Sequence, residues 1–187
     1  MECLQGDGVA LELYRPENAP DDQLHLKCFT RDVDSELSTI IPLLEHMGCV
    51  VVDATPYVLH PLPPLAPVLL RDLTLRVPAA KSLHLAQNKA RIEDAIGAIW
   101  RGTVGDDGLN ALVFAAGLSA RDVEILRAYS RYLVQIDFPY SQQLMAAALN
   151  AHAPLAAELV ALFHQRFDPA VKKRELLAAV RGMSQAC

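Results

Sequence analysis

Over Val9–Tyr14 and again over residues 24–30, apolar and polar side chains alternate with period two, the spacing that puts one set on each face of a strand. Between them Pro16, Pro20 and several acids predict a turn over 15–22. The period then changes. Leu37, Ile40, Ile41, Leu44 and Met47 recur every three or four residues and predict a helix, with Asp34 or Ser35 as its cap. Pro42 falls inside that run; it lacks an amide and crowds the preceding turn, so the helix is expected to bend or start near it. Gly48 supplies a left-handed stop, and Cys49, Val50, Val51 and Val52 open a strand, expected to be buried, that runs to Leu59. A Pro-rich loop over 60–67 leads to another strand over 68–77, with an irregularity expected at Arg71 and Asp72. Strand, strand, helix, strand, strand predicts an α+β layer, a helix on one face of a mainly antiparallel sheet. The strand over 24–30 is expected at an edge that neighbours would cover.

Beyond residue 80 helical spacing dominates. Leu85, Ile92, Ala95, Ile96, Ile99 and Trp100 form one stripe, beginning after Ser82 and stopped by Gly102. A polar loop over 103–108 precedes a short buried helix over 110–116, closed by Gly117. Ser119 and Asp122 then resemble a capping box with Asp in place of Glu. In the helix that follows, Val123, Leu126, Tyr129 and Leu133 line one face, and Arg121, Arg127 and Arg131 are expected to point outward. Ser141 caps a further helix through Leu144, Met145, Ala148 and Leu149; Pro154 ends it before Leu155, Leu159, Leu162, Phe163 and Phe167 form the next. Residues 171–183 read as a last helix whose Lys172, Lys173 and Arg174 oppose the positive end of its dipole.

Composition narrows the classes. The 187 residues are 52% hydrophobic and 21% charged, with 9 Gly and 12 Pro, which excludes a disordered, collagen-like or long coiled-coil chain. The net charge of −5 gives no general attraction to nucleic acid or anionic membrane, so neither is an expected partner. Its distribution is uneven: residues 1–80 hold five Lys/Arg against twelve Asp/Glu, a balance of −7, and residues 81–187 hold twelve against ten, +2. With the change of period, this places a domain boundary at 78–82, giving an α+β domain over 1–80 and a helical domain over 81–187. No signal peptide or membrane-length apolar run is legible, and a cytoplasmic, reducing setting is expected.

Candidate chemistry is sparse. Cys3, Cys28, Cys49 and Cys187 are scattered without metal-ligand spacing, and Cys28 and Cys49 read as buried apolar residues or as a redox pair. His25, His46 and His60 sit in separate elements, so no metal site is expected. Asp106, Asp107 and Gly108 read as a turn or as an incomplete cation site. Tyr129, Tyr132, Phe138 and Tyr140 read as core and helix-contact aromatics.

The run Trp100-Arg101-Gly102, then Asp106-Asp107-Gly108, Asn110, Leu112-Val113, Ala115-Ala116-Gly117-Leu118, Arg121, Val123, Leu126-Arg127-Ala128-Tyr129 and Tyr132-Leu133 resembles the large bacterial NAD-specific glutamate dehydrogenases. Pro139, Ser141-Gln142, Leu162-Phe163 and Arg166-Phe167-Asp168-Pro169 extend the likeness in order. Upstream, Leu24, Lys27, residues 43–48, Asp53, Pro56-Tyr57 and Arg71-Asp72-Leu73 resemble the last ACT-like module of that family. Residues 56–67 and the strand cysteines Cys28 and Cys49 depart from the pattern.

The resemblance implies an ACT-like, ferredoxin-like sheet followed by an all-α region, lying ahead of the catalytic domain. It implies a parent oxidoreductase that interconverts glutamate and 2-oxoglutarate with NAD, and, as partners, the parent's other domains and further copies in a homo-oligomer. It also implies an amino-acid effector held where a strand leads into a helix, here at Asp32, Asp34 and Ser35; capping of the helix explains the same residues. The pyrophosphate of NAD requires a G-x-G-x-x-G turn between strand and helix, and Gly102, Gly105 and Gly108 do not form one. No catalytic, cofactor-binding or metal residue is therefore expected here, and the segment alone is expected to be inactive. A free-standing ACT-like module that binds an amino acid or a protein is the alternative.

Overall fold

The computed structural model describes residues 9–31, 37–61, 66–78 and 83–167. Four strands, β1 (Val9–Tyr14), β2 (Gln23–Thr30), β3 (Val50–Leu59) and β4 (Val68–Arg76), form one antiparallel sheet in the order β1-β2-β4-β3. β2 is thus interior, and the edges are β1 and β3, which corrects the expectation for 24–30. The physical reason lies in β3 and β4: Pro56 has no amide to give an inner ladder, whereas β4 buries Leu69, Leu73 and Leu75 and suits the centre.

As an edge, β3 is not the buried strand its valines suggested. Val50 and Val52 are each 52% exposed, and the bulge falls between Val51 and Asp53. Arg71 and Asp72 instead pair regularly within a continuous β4. Alternation holds on β1, β2 and β4, so Leu13, Leu24, Leu26, Leu73 and Leu75 all face one side.

Helices α1 (Leu37–His46) and α2 (Leu85–Trp100) supply the apolar stripes that cover this side. Ile40, Leu44, Ile92 and Ile96 are fully buried in the same cluster. Each such side chain contributes about 1.5–3 kcal/mol by leaving water. Pro42 does not start α1, which already begins at Leu37. Gly48 takes the left-handed conformation at φ +78°, which lets Cys49 N donate to Leu44 O at 2.9 Å. α2 also occupies one amide of the β1 edge: Glu93 Oε1 accepts from Leu13 N at 2.6 Å.

The remaining chain is helical: a 3-10 turn at Gly108–Ala111, then α3 (Leu112–Ala115), α4 (Ala120–Gln135), α5 (Gln142–Ala151) and α6 (Ala153–Phe167). Gly102 (φ +66°) and Gly117 (φ +69°) make the turns expected of them. The capping box at α4 is complete, with Asp122 N donating to Ser119 Oγ at 3.2 Å and Ser119 N to Asp122 Oδ2 at 3.1 Å. Ser141 Oγ accepts from Leu144 N at 3.2 Å at the start of α5. Arg91 of α2 reaches across to Val113 O (2.8 Å) and Leu118 O (2.6 Å), fastening α3 and the turn after it. One apolar cluster runs from the sheet through α2 into α4, α5 and α6. Among the described residues no single helix is long and apolar enough to cross a membrane; α5 and α6 pass only as a pair bent by 104°.

Candidate functional site

Asp32, Asp34 and Ser35, the effector candidates, lie outside the described residues, as does the tail over 171–183. In the sequence they fall between Thr30, the end of β2, and Leu37, the start of α1. Close to that end of the sheet, β4 places Arg71 opposite Cys28, and Arg71 is buried.

The other candidates are not brought together. His25 lies on the outer sheet face beside Asp72 (3.5 Å), and Asp72 also accepts from Tyr14 Oη at 3.0 Å. Burial and that hydrogen bond push the Tyr14 phenol up to about 12. His46 at the end of α1 meets Asp106 at 2.9 Å, tying the sheet layer to the loop before the 3-10 turn. No group of three or more His, Cys, Asp or Glu arranged for a metal occurs among the described residues. Cys28 and Cys49 are free and buried, and burial pushes each thiol up to about 12.

The densest polar constellation centres on Arg127, whose charge suggests the surface. Arg127 is not outward: it is 1% exposed. Val123, Leu126, Arg127 and Ser130 are the buried positions of α4, spaced i, i+3, i+4, i+7, so Arg127 occupies a core position of the stripe. Its Nε donates to Asp107 Oδ2 at 2.7 Å and its Nη2 to Asp107 Oδ1 at 2.9 Å, a bidentate pair. Nη2 also reaches Asn110 Oδ1 at 2.7 Å, and Nη1 donates to Glu124. Burial alone would lower the Arg127 pKa, but the hydrogen bond and charge of Asp107, with Glu124, hold it above its ordinary value. Burial likewise would raise Asp107, and Arg127 together with the Leu109 amide holds it below the usual carboxylate range.

The loop is shaped around that guanidinium. A Cβ at Gly105 would come within 2.8 Å of Arg127 Nε. Gly105 N donates to Glu124 Oε1 at 2.7 Å, and Asn110 Nδ2 donates to Gly105 O at 3.1 Å. Asp106 and Asp107 therefore spend their oxygens on His46, Arg127 and a backbone amide rather than on a cation.

Two apolar surfaces remain. Along the β3 edge Val50, Val52, Tyr57, Val58 and Leu59 are exposed. Between α4, α5 and α6 opens a cleft of about 460 Å³ whose walls include Leu126, Tyr129, Leu149, Leu159, Phe163 and Phe167. Tyr129, Tyr132, Phe138 and Tyr140 are exposed rather than core aromatics, because α4 and its following turn have no layer over that side among the described residues. Phe163 meets Tyr129 edge-on at 6.1 Å and Phe167 at 4.7 Å. At the start of α4, Asp122 Oδ1 lies 2.8 Å from His164 Nε2, pinning α6 there. Burial would raise Asp122, and its bonds to Ser119 and His164 hold it below the ordinary range.

The polar groups pair with one another, and the open surfaces are apolar. An antiparallel four-stranded sheet with helices on one face, continuous with a helical motif, defines an ACT-type α+β module with an attached helical segment. A family model described as the glutamate dehydrogenase ACT3 domain matches residues 8–88, and one described as glutamate dehydrogenase helical motif 3 matches residues 104–169. The NAD-specific glutamate dehydrogenase of Halomonas elongata is 34% identical over 174 residues, covering 93% of this chain and 11% of the relative. The same-named proteins of Pseudomonas aeruginosa (35% over 159 residues, 85% and 10%) and Mycobacterium tuberculosis (35% over 152, 72% and 9%) are similar in the same way. The chain belongs to the NAD-specific glutamate dehydrogenase family and spans about a tenth of the length of the curated relatives it matches.

Proposed function

We propose that these residues are a non-catalytic, architectural and regulatory segment of a cytoplasmic, homo-oligomeric enzyme. The parent would oxidise L-glutamate to 2-oxoglutarate and ammonia with NAD as its cofactor. The observation that carries this reading is the paired match to an ACT3 domain and helical motif 3 within about a tenth of the relatives' length. The physical arrangement agrees: Arg127, Asp107, Glu124 and Asn110 saturate one another and fix a loop, and offer no reacting group to a substrate. We place the domain boundary at 78–82, with α2 of the second part packed on the sheet of the first, and the exposed apolar side chains of β3 are the surface we assign to the parent's other domains.

Regulation would enter through an amino-acid effector at Asp32, Asp34 and Ser35. Acids there attract its ammonium, and free amides at the start of α1 attract its carboxylate. An amino acid at 100 times its dissociation constant should stabilise the protein by about 2.7 kcal/mol, which a thermal-shift screen reads directly.

The function is tested by incubating the purified 187-residue chain with glutamate and NAD while following NADH absorbance. No turnover is expected from the chain, and turnover is expected from the longer polypeptide that contains it. NADH formation by the chain alone would overturn the proposal. An immunoblot of the source cells that showed only a band of this chain's own size would favour the free-standing module.

A further inference from the structure

The regions matched by the two family models meet at one short turn. Gly108–Ala111 lies near the start of the region matched as helical motif 3, yet it packs on α1 of the sheet module as well as on α3, α4 and α5. On the sheet side His46 Nδ1 and Asp106 Oδ1 are 2.9 Å apart, and Met47 beside them is fully buried. The backbone of Gly48 comes so close to the turn that an added Cβ would lie 3.3 Å from Ala111 Cβ. On the helical side Arg127 of α4 grips Asp107 twice, and Asn150 Nδ2 of α5 donates to Gly108 O at 2.7 Å.

Backbone geometry explains how neighbours in sequence serve two partners. Asp107 is extended, at φ −156° and ψ 175°, and successive side chains of extended chain point to opposite sides. Asp106 thus turns to α1 and Asp107 to α4. The turn has little slack with which to absorb a shift. Gly105 N is held by Glu124, Gly105 O by Asn110 Nδ2, and Leu109 N by Asp107 Oδ1. A displacement at the end of α1 must either break these bonds or carry Asp107, and the Arg127 it holds, along with it.

We propose that residues 105–111 form a rigid joint that couples the end of α1 energetically to α4 and α5, so that a change in the sheet module is felt in the helical segment and the reverse. The half-exposed His46–Asp106 pair adds little by itself; the stiffness comes from the close approach of Gly48 to Ala111 and from the buried Arg127. The coupling belongs to the chain with or without an amino acid bound, so it stands apart from the effector reading and from the activity of the parent enzyme.

The test is amide hydrogen exchange on the whole 187-residue chain under native conditions. Arg127→Ala, a change on the helical side, should speed exchange at Met47, Gly48 and Cys49, across the joint, at least about threefold more than the control Val160→Ala does. That control removes buried methyl groups from α6 and lowers stability without touching the turn's hydrogen bonds. Gly48→Ala presses on the turn from the sheet side and should speed exchange at Gly105, Leu109 and Asn110 by at least about threefold. In the double variant the combined effect should fall short of the product of the two, because the joint is already loosened once. Arg127→Lys keeps the charge but loses the fork on Asp107, and should give the same pattern on a smaller scale if Arg127→Ala is too unstable to measure. Effects confined to each variant's own side, or effects that simply multiply, would overturn the proposal and leave two modules that touch without coupling. Acceleration at 47–49 no greater than that of Val160→Ala would also overturn it, as a plain loss of global stability.

Discussion

Replacing Arg127 by alanine removes the hub of the loop between α2 and α4. The guanidinium is 1% exposed and bonded to Asp107 twice, to Asn110 and to Glu124. Removing one partner of a buried ion pair costs about 3–5 kcal/mol when the other charge is stranded without water. Here the carboxylates of Asp107 and Glu124 are 44% and 35% exposed, so both can rehydrate. Asn110, by contrast, is buried, and its Oδ1 loses the Arg127 donor. The balance sets the expected loss at about 2–3 kcal/mol, the lower end of the range or just under it. At about 2–4 °C per kcal/mol for a protein of this size, the midpoint should fall by about 4–12 °C. Trp100, the chain's single tryptophan, sits at the end of α2 close to the loop and reports the transition in urea. Arg131→Ala, one turn further along α4 and exposed, should stay within about 0.5 kcal/mol. If Arg127→Ala behaved like Arg131→Ala, the assignment of Arg127 as the structural hub would be wrong.

Three further outcomes follow from the same packing. Asp107 and Asp122 have folded pKa values below the unfolded carboxylate value of about 3.9, so their stabilisation is present above that pH and is lost as pH falls through the folded values. Urea midpoints measured from pH 6 down to pH 3 should therefore drop for the parent chain and drop less for Asp107→Asn; parallel curves would contradict the pairing. Cys28 and Cys49, with thiols pushed up to about 12, should resist an aromatic disulfide reagent at pH 8 until the protein is unfolded, as peptide mapping would show. Gly48→Ala puts a side chain at φ +78° with its Cβ 3.3 Å from Ala111 Cβ and should cost about 1–2 kcal/mol in a thermal melt, a loss that Ala111→Gly relieves only in part.

Local signals are legible in the sequence because their causes are local. The alternation of β1 and β2, the Ser119–Asp122 capping box and the left-handed Gly48, Gly102 and Gly117 depend on neighbours within a few residues. Strand position does not. The valines of β3 look like a buried strand, and only its place outside β4, with Pro56 in the ladder, leaves them in water. The charge of Arg127 suggests an outward position, whereas its spacing from Val123, Leu126 and Ser130 marks it as interior. Asp137 ends α4 at φ +59° without the glycine that marks the stops of α1, α2 and α3, so that boundary carries no signal. The exposed aromatics of α4 and the turn after it depend on what lies over them, which no periodicity encodes.

The two margins of the sheet differ in kind. On β1 the Leu13 amide is already taken by Glu93 of α2. On β3 the margin is apolar but interrupted by a bulge and by Pro56. Among the described residues one amide of the β1 edge is thus occupied, whereas the β3 edge keeps its apolar side chains exposed. The broken ladder of β3 further demands that a partner match its side chains, since a generic strand finds no continuous row of amides to join.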